Sequence, residues 1–249
     1  MARGVALGLL LLLLSCAGAR ADSVHVAVAT NFAPTCRAIA DAFTAATKHE
    51  VVISDGSTGK LFAQIENGAP FEVFLSADAE RPRKLEAGQH AVAGTRFVYA
   101  VGRLVLWSAR DGFVTGEAVL RGDAFQHLAI ANPELAPYGA AAREVLQRLE
   151  LWDRLQPKLV RGEDIGQTFH FVSTGNAELG FVALAQLAGG KGGSRWLVPA
   201  KLHAPIEQQA VLLRPGQDDP AARAFLEFLQ GREARRLIER AGYGLPSPP

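Results

Sequence analysis

Four times along this chain an apolar or β-branched run stops at a short polar turn, and a helix-like segment begins at once. The clearest case is Val51-Val52-Ile53, then Ser54-Asp55-Gly56-Ser57-Thr58-Gly59, then Lys60-Leu61-Phe62-Ala63-Gln64-Ile65-Glu66. The other turns fall at Ala29–Pro34, Asn132–Gly139 and Gly162–Gly166. A turn of this kind leaves backbone N–H groups without partners at the positive end of a helix dipole. It is a ready seat for an anion. One such turn is commonplace. The repetition constrains the fold, because strands alternating with helices build mainly parallel sheets with helices on both faces.

The rest of the chain keeps that rhythm. Val24–Ala29 reads as a buried strand, and Pro34 suits the first turn of a helix whose apolar face is Ile39, Ala42, Phe43 and Ala46. Phe71–Ala77 predicts a third strand and Ala79–Ala87 a helix stopped by Gly88. Phe97–Trp107 is a longer extended run broken by Gly102, after which the pattern restarts. Strand Leu128–Ala131, helix Gly139–Trp152, a short strand at Leu159–Val160 and a helix over Ile165–Thr174 follow. Leu179–Leu184, Trp196–Val198 and Gln209–Leu213 read as further strands, and Ala188–Ser194 as a surface loop. Asp219-Pro220 opens a terminal helix by cap and first-turn chemistry. Extended crossings near Gly102 and Ile206 divide the chain into two α/β lobes, 22–102 with 207–249 and 103–206, with a cleft between them. In open α/β sheets ligands sit at the carboxyl ends of strands. All four polar turns lie at such ends.

Residues 1–21 carry Arg3, the apolar run Val5–Leu14 and a small-residue end, Ala19-Arg20-Ala21. That is a secretory signal, too short in its apolar part to anchor in a membrane. Cys16 as a lipid attachment point is the less favoured reading. Losing this segment removes Arg3 and Arg20 and no acid, so the formal net charge passes from +1 to −1. A chain so balanced has no basic excess for nucleic acid. Only Cys36 is then left, so no internal disulfide forms, and no C-x-x-C or histidine pair offers a metal site. With 49% hydrophobic residues, stability rests on the core.

Catalysis finds little support in the residues. Gly56-Ser57-Thr58-Gly59-Lys60 imitates a nucleotide-binding loop, but Ser54 stands where that pattern needs glycine and Leu61 where it needs a hydroxyl. There is no G-x-S-x-G, and the six histidines are scattered. Glu163-Asp164 sits at a helix start, where acids are favoured by the dipole without any catalytic duty. What is left is recognition by uncharged donors: Thr30, Asn31, Ser57, Thr58 and Tyr138. An ionised oxyanion needs donors only, and neutral dipoles supply them.

These turns resemble, as a set, the periplasmic molybdate-binding proteins of ABC transporters. The resemblance rests on Val28-Ala29-Thr30-Asn31-Phe32-Ala33-Pro34, on Gly56 through Phe71, on Phe74-Leu75-Ser76-Ala77-Asp78 and on Asn132-Pro133-Glu134-Leu135-Ala136-Pro137-Tyr138-Gly139. Leu151-Trp152-Asp153, Lys158-Leu159 and Glu163-Asp164-Ile165 also fit in order, so it spans nearly the whole chain after residue 21. It implies a two-lobed periplasmic-binding-protein fold that closes on molybdate or tungstate. The metal is then held only as its oxyanion, by Thr30, Asn31 and Ser57 or Thr58 from one lobe and by Tyr138 and the Ile165 N–H from the other. A tyrosine that some members use is replaced here by Ala183.

The resemblance further implies an exported, periplasmic monomer that delivers its ligand to an ABC permease, needs no cofactor and is no enzyme. The alternatives are a binder of another oxyanion such as sulfate and, further off, an exported hydrolase using Ser57 or Ser76. Asp55 is a candidate acceptor for the proton of a phosphate.

Overall fold

The computed structural model describes residues 22–190 and 192–246, and two five-stranded sheets hold their strands. The signal segment and Cys16 lie outside the described residues. Strands β1 (Ser23–Ala29), β2 (Glu50–Gly56), β3 (Val73–Leu75) and β4 (Phe97–Gly102) form most of the first sheet. The chain then crosses over and lays down the whole second sheet: β5 (Leu104–Ser108), β6 (Leu128–Ala131), β7 (Leu159–Gly162), β8 (Leu179–Ala183) and β9 (Ser194–Leu197). It returns as β10 (Ile206–Leu212), which slots between β3 and β4.

The two sheets share one plan. Their orders are β2-β1-β3-β10-β4 and β7-β6-β8-β5-β9. In the first, β1 runs parallel to β2 and β3, whereas β10 opposes both its neighbours. In the second, β6 runs parallel to β7 and β8, whereas β5 opposes β8 and β9. Each sheet is thus mainly parallel with one reversed strand. That strand is the one the chain enters directly from the other sheet.

Helices α1 (Ala33–Thr47), α2 (Thr58–Glu66), α3 (Glu80–Ala87), α4 (Pro137–Arg148), α5 (Trp152–Leu155), α6 (Ile165–Ser173), α7 (Pro220–Gln230) and α8 (Arg232–Arg240) cover the sheets. The side-chain alternation of a strand decides which helix meets which residue. On one face of the first sheet Val24, Val26 and Val28 pack with Ile39, Phe43 and Phe225 of α1 and α7. On the other, Ala27, Phe74 and Val211 meet Leu61 of α2 and Leu85 of α3. The second sheet repeats this, with Leu104, Leu106 and Ile130 toward Val145 and Leu146 of α4, and Val105, Trp107 and Ala129 toward Val172 of α6.

Three elements are shorter than the sequence pattern suggests. β3 covers only Val73–Leu75, although the amides of Glu72 and Ser76 still reach His25 O and Gln209 O. The expected helix to Trp152 ends at Arg148, because Glu150 turns left-handed at φ 59° and α5 restarts the chain at Trp152. Gly231, extended at ψ 165°, splits the terminal helix into α7 and α8. Cys36, the free cysteine among the described residues, is buried in α1, and burial pushes its thiol up to about 12. It is packing, not chemistry. No helix of the described residues is long and apolar enough to cross a membrane.

Candidate anion site

The turns after β1, β2, β6 and β7 meet at one small pocket between the two sheets. Thr30 and Asn31, Ser57 and Thr58, Tyr138, and Asp164 and Ile165 all line it. Its free volume is about 10 Å³, close to the least that one water needs.

Each turn is built to leave donors over. Ser57 is the N-cap of α2, and its Oγ accepts the Lys60 N–H at 3.4 Å. Thr58 Oγ1 accepts the Ala77 N–H at 3.2 Å. A hydroxyl that accepts in this way still has its own proton to give. Both hydroxyls of the opening turn therefore keep a free O–H. Thr30 goes further: its Oγ1 is the one buried side-chain polar atom among the described residues without any hydrogen-bond partner. Leaving a buried hydroxyl unpaired costs about 1–3 kcal/mol, so such an atom calls for an explanation.

The backbone adds to this supply. The amides of Asn31, Ser57, Thr58, Tyr138 and Ile165 take no part in the chain's hydrogen bonds. All five residues line the pocket. Around Ile165 the other first-turn amides are spoken for, because Asp164 caps α6 by accepting Gly166 N–H at 2.7 Å and Gln167 N–H at 2.9 Å. Gln186 donates to Ile165 O at 2.9 Å and so steadies that turn from β8's side. Three helix starts, those of α2, α4 and α6, point positive ends at one place.

Not every expected donor is free in the expected way. Both side-chain protons of Asn31 are spent, one on Gln208 Oε1 at 2.9 Å and one on Tyr243 Oη at 3.2 Å. Tyr243 in turn donates to Asn31 O at 2.7 Å, which fixes the direction of that pair. Only the backbone amide of Asn31 is left for a ligand. Tyr138 Oη accepts from Gln208 Nε2 at 3.3 Å, so the tyrosine's free amide matters beside its hydroxyl. Burial pushes the Tyr138 hydroxyl well above the usual phenol range, so it stays protonated. Asp55, expected as a proton acceptor, does not line the pocket but pairs with Arg37 at 3.0 Å on the surface. The hydrolase alternative finds no partner either: Ser76 Oγ bonds Asp78, and no histidine bonds Ser57 or Ser76.

The residues that sequence reasoning passed over are Gln208, Tyr99 and Tyr243, which hold the first turn from behind. A glutamine and two tyrosines in strands and a terminal turn carry no local signature; only the turn-rich segments do.

The two lobes already touch around this pocket. Gly59 N–H bonds Leu135 O at 2.8 Å, Arg81 Nη2 bonds Glu134 O at 2.8 Å, and Lys60 pairs with Glu163 on the rim. A Cβ on Gly166 would stand 2.7 Å from Thr30 Cγ2, and one on Gly59 3.1 Å from Leu135 Cα. A side chain at 166 would force Thr30 to shift, whereas one at 59 would crowd the contact only slightly.

Comparison with known proteins places this architecture. Residues 24–244 match the model of the bacterial extracellular solute-binding protein family. The molybdate-binding protein ModA of Azotobacter vinelandii is 54% identical over 94% of this chain and 94% of its own length. ModA of Rhodobacter capsulatus is 50% identical over 90% of this chain and 89% of its own. The solved structure of the Azotobacter vinelandii periplasmic molybdate-binding protein superposes with a TM-score of 0.87 at 44% identity, covering 90% of this chain and 100% of that one.

Proposed function

The chain belongs to the bacterial extracellular solute-binding protein family, and from that premise we propose that it captures molybdate or tungstate outside the cytoplasm and hands it to an ABC permease. It is a binding protein, like its relatives, and not an enzyme. We assign the ligand's donors to Thr30 Oγ1, the hydroxyls of Ser57 and Thr58, and the amides of Asn31, Ser57, Thr58, Tyr138 and Ile165.

The observation that carries this reading is the orphaned Thr30 hydroxyl, buried in a pocket whose neighbours hold spare O–H and N–H protons. An oxyanion satisfies every one of them at once. A water, with two protons of its own to place, does not. The lobes have to part for a four-oxygen anion to enter so small a space, and each oxygen then finds donors from both sides. A ligand bound by both lobes stabilises the closed form in proportion to what it loses when they open. The same donor-only chemistry favours a fully ionised dianion over phosphate, whose remaining proton needs an acceptor. Asp164, a carboxylate that lines the pocket, takes two helix amides on Oδ1 and keeps acceptor capacity on Oδ2, so the phosphate measurement tests it directly.

Calorimetry with molybdate, tungstate, sulfate and phosphate tests this. We expect tight binding of the first two and weak binding of phosphate. Phosphate bound as well as molybdate at neutral pH overturns the donor-only account. Small-angle scattering should show a more compact particle with molybdate present, and an unchanged profile at saturation overturns closure between lobes.

A further inference from the structure

Gln208 sits in β10 with no exposed surface, and both ends of its carboxamide are hydrogen-bonded. Oε1 accepts from Asn31 Nδ2 at 2.9 Å and from Tyr99 Oη at 3.1 Å, both on the first lobe. Nε2 donates to Tyr138 Oη at 3.3 Å, on the first turn of α4 in the second lobe. One side chain thus spans the cleft just behind the pocket. The backbone is bent to allow it: the β10–β4 ladder slips at Gln208 and Gln209, which pair with Ala100 and Val98 and leave Tyr99 unopposed. Bulges re-aim side chains, and this one brings Tyr99 and Gln208, neighbours that a regular ladder turns to opposite faces, into contact. Gly102 is needed at the same place, because a Cβ there would lie 2.4 Å from Tyr138 Oη and 3.1 Å from Gln208 Nε2.

We propose that Gln208 is the positioning residue of the anion site, aligning the Asn31 and Tyr138 amides on opposite lobes and coupling their approach to one another. The inference rests on the oxyanion reading for its ligand but not for its geometry. Gln208 touches no ligand. Its oxygen fixes the turn that carries the Asn31 amide, and its nitrogen fixes the tyrosine that carries the other. When the lobes part, the Nε2–Oη bond is the part of this network that breaks, because every other member lies on the first lobe. The carboxamide therefore favours the closed form before any ligand arrives.

The test is a double-mutant cycle with Gln208→Met and Tyr138→Phe, the second leaving Gln208 itself intact should the first fold poorly. Calorimetry with molybdate is paired with amide hydrogen exchange on the ligand-free proteins. Each single change should weaken molybdate binding by about three- to tenfold, the size expected for one internal hydrogen bond. The double variant should be no weaker than the worse single, because both remove the same link. In Gln208→Met the amides around Asn31 and Tyr138 should exchange faster while those of β6 and β8 do not. Affinity within twofold of wild type for Gln208→Met, losses that multiply in the double variant, or exchange quickened evenly along the chain would each overturn the proposal. A wild type that binds no molybdate overturns the oxyanion reading alone, and the exchange pattern then still decides for or against Gln208.

Discussion

The two lobes share a strand order, a reversed strand and a pair of polar turns at the ends of the same two strands, yet they equip those turns differently. The first lobe brings hydroxyls: Thr30, Ser57 and Thr58, two held as acceptors by amides and one left alone. The second brings backbone amides at Tyr138 and Ile165 and one hydroxyl, that of Tyr138, which accepts from Gln208 and keeps its own proton. The same topology therefore supplies spare donors to one pocket in two ways. Side chains can be exchanged one by one by mutation, whereas amides at a helix start vanish only if the helix moves.

The largest effect should come from stopping closure itself. Gly166→Leu places a side chain against Thr30 and keeps the second lobe's two amides out of reach. If each is worth about 1.5–3 kcal/mol to a charged partner, molybdate affinity should fall at least about 100-fold. Calorimetry reads this, and a loss below tenfold would mean that the second lobe contributes little.

Thr30→Val separates function from stability. The charged-partner bond is lost, so affinity should drop about 10- to 100-fold. The ligand-free protein should become no less stable, and by about 1 kcal/mol more so, since an unpaired buried hydroxyl gives way to a methyl group. A thermal melt that falls together with affinity would show that Thr30 is bonded in the resting protein after all.

Ser57→Ala and Thr58→Val cannot be so clean. Ser57 caps α2 and Thr58 satisfies Ala77, so each change should cost about 1 kcal/mol of stability besides roughly tenfold in affinity. Melts and isotherms of the two variants together tell which hydroxyl the anion uses more.

The smallest effect concerns pH. No donor on either lobe titrates near neutrality, because burial holds the Tyr138 hydroxyl in its protonated form far into the alkaline range. A group whose pKa is raised by the fold loses its proton only as the pH climbs through that raised value, so binding should vary less than about twofold between about pH 6 and pH 9. A break within that window would point to a titrating ligand.

The same contrast explains what the sequence could reveal. The four turns stood out because strand, polar turn and helix are written in adjacent residues, and all four do converge on one pocket. Thr30, Ser57 and Thr58 were visible as hydroxyls in those turns. The amide of Ile165 is not, since any residue has one, and it comes from the family resemblance; Tyr138 reads from the sequence as a side-chain donor, and only the structure shows that its amide is free as well. Nothing local told that Asn31's side chain would be spent on Gln208 and Tyr243, because those partners lie 177 and 212 residues away. The reversed direction of β5 and β10 was likewise hidden, being set by crossings between sheets and not by the strands' own composition.

Those crossings also set an order of assembly. The second sheet is drawn from one uninterrupted stretch, β5 to β9, whereas the first needs β10 from the far side of it. Pairings between distant segments pay their loop-closure cost before they gain contacts, and they form late. The second half can therefore be complete while β3 and β4 of the first still show bare edges to the solvent, the kind of surface that recruits strands from other molecules. A chain cut short after Ile206 should complete the second sheet and leave the first open between β3 and β4, a difference that protease protection of the two halves would read.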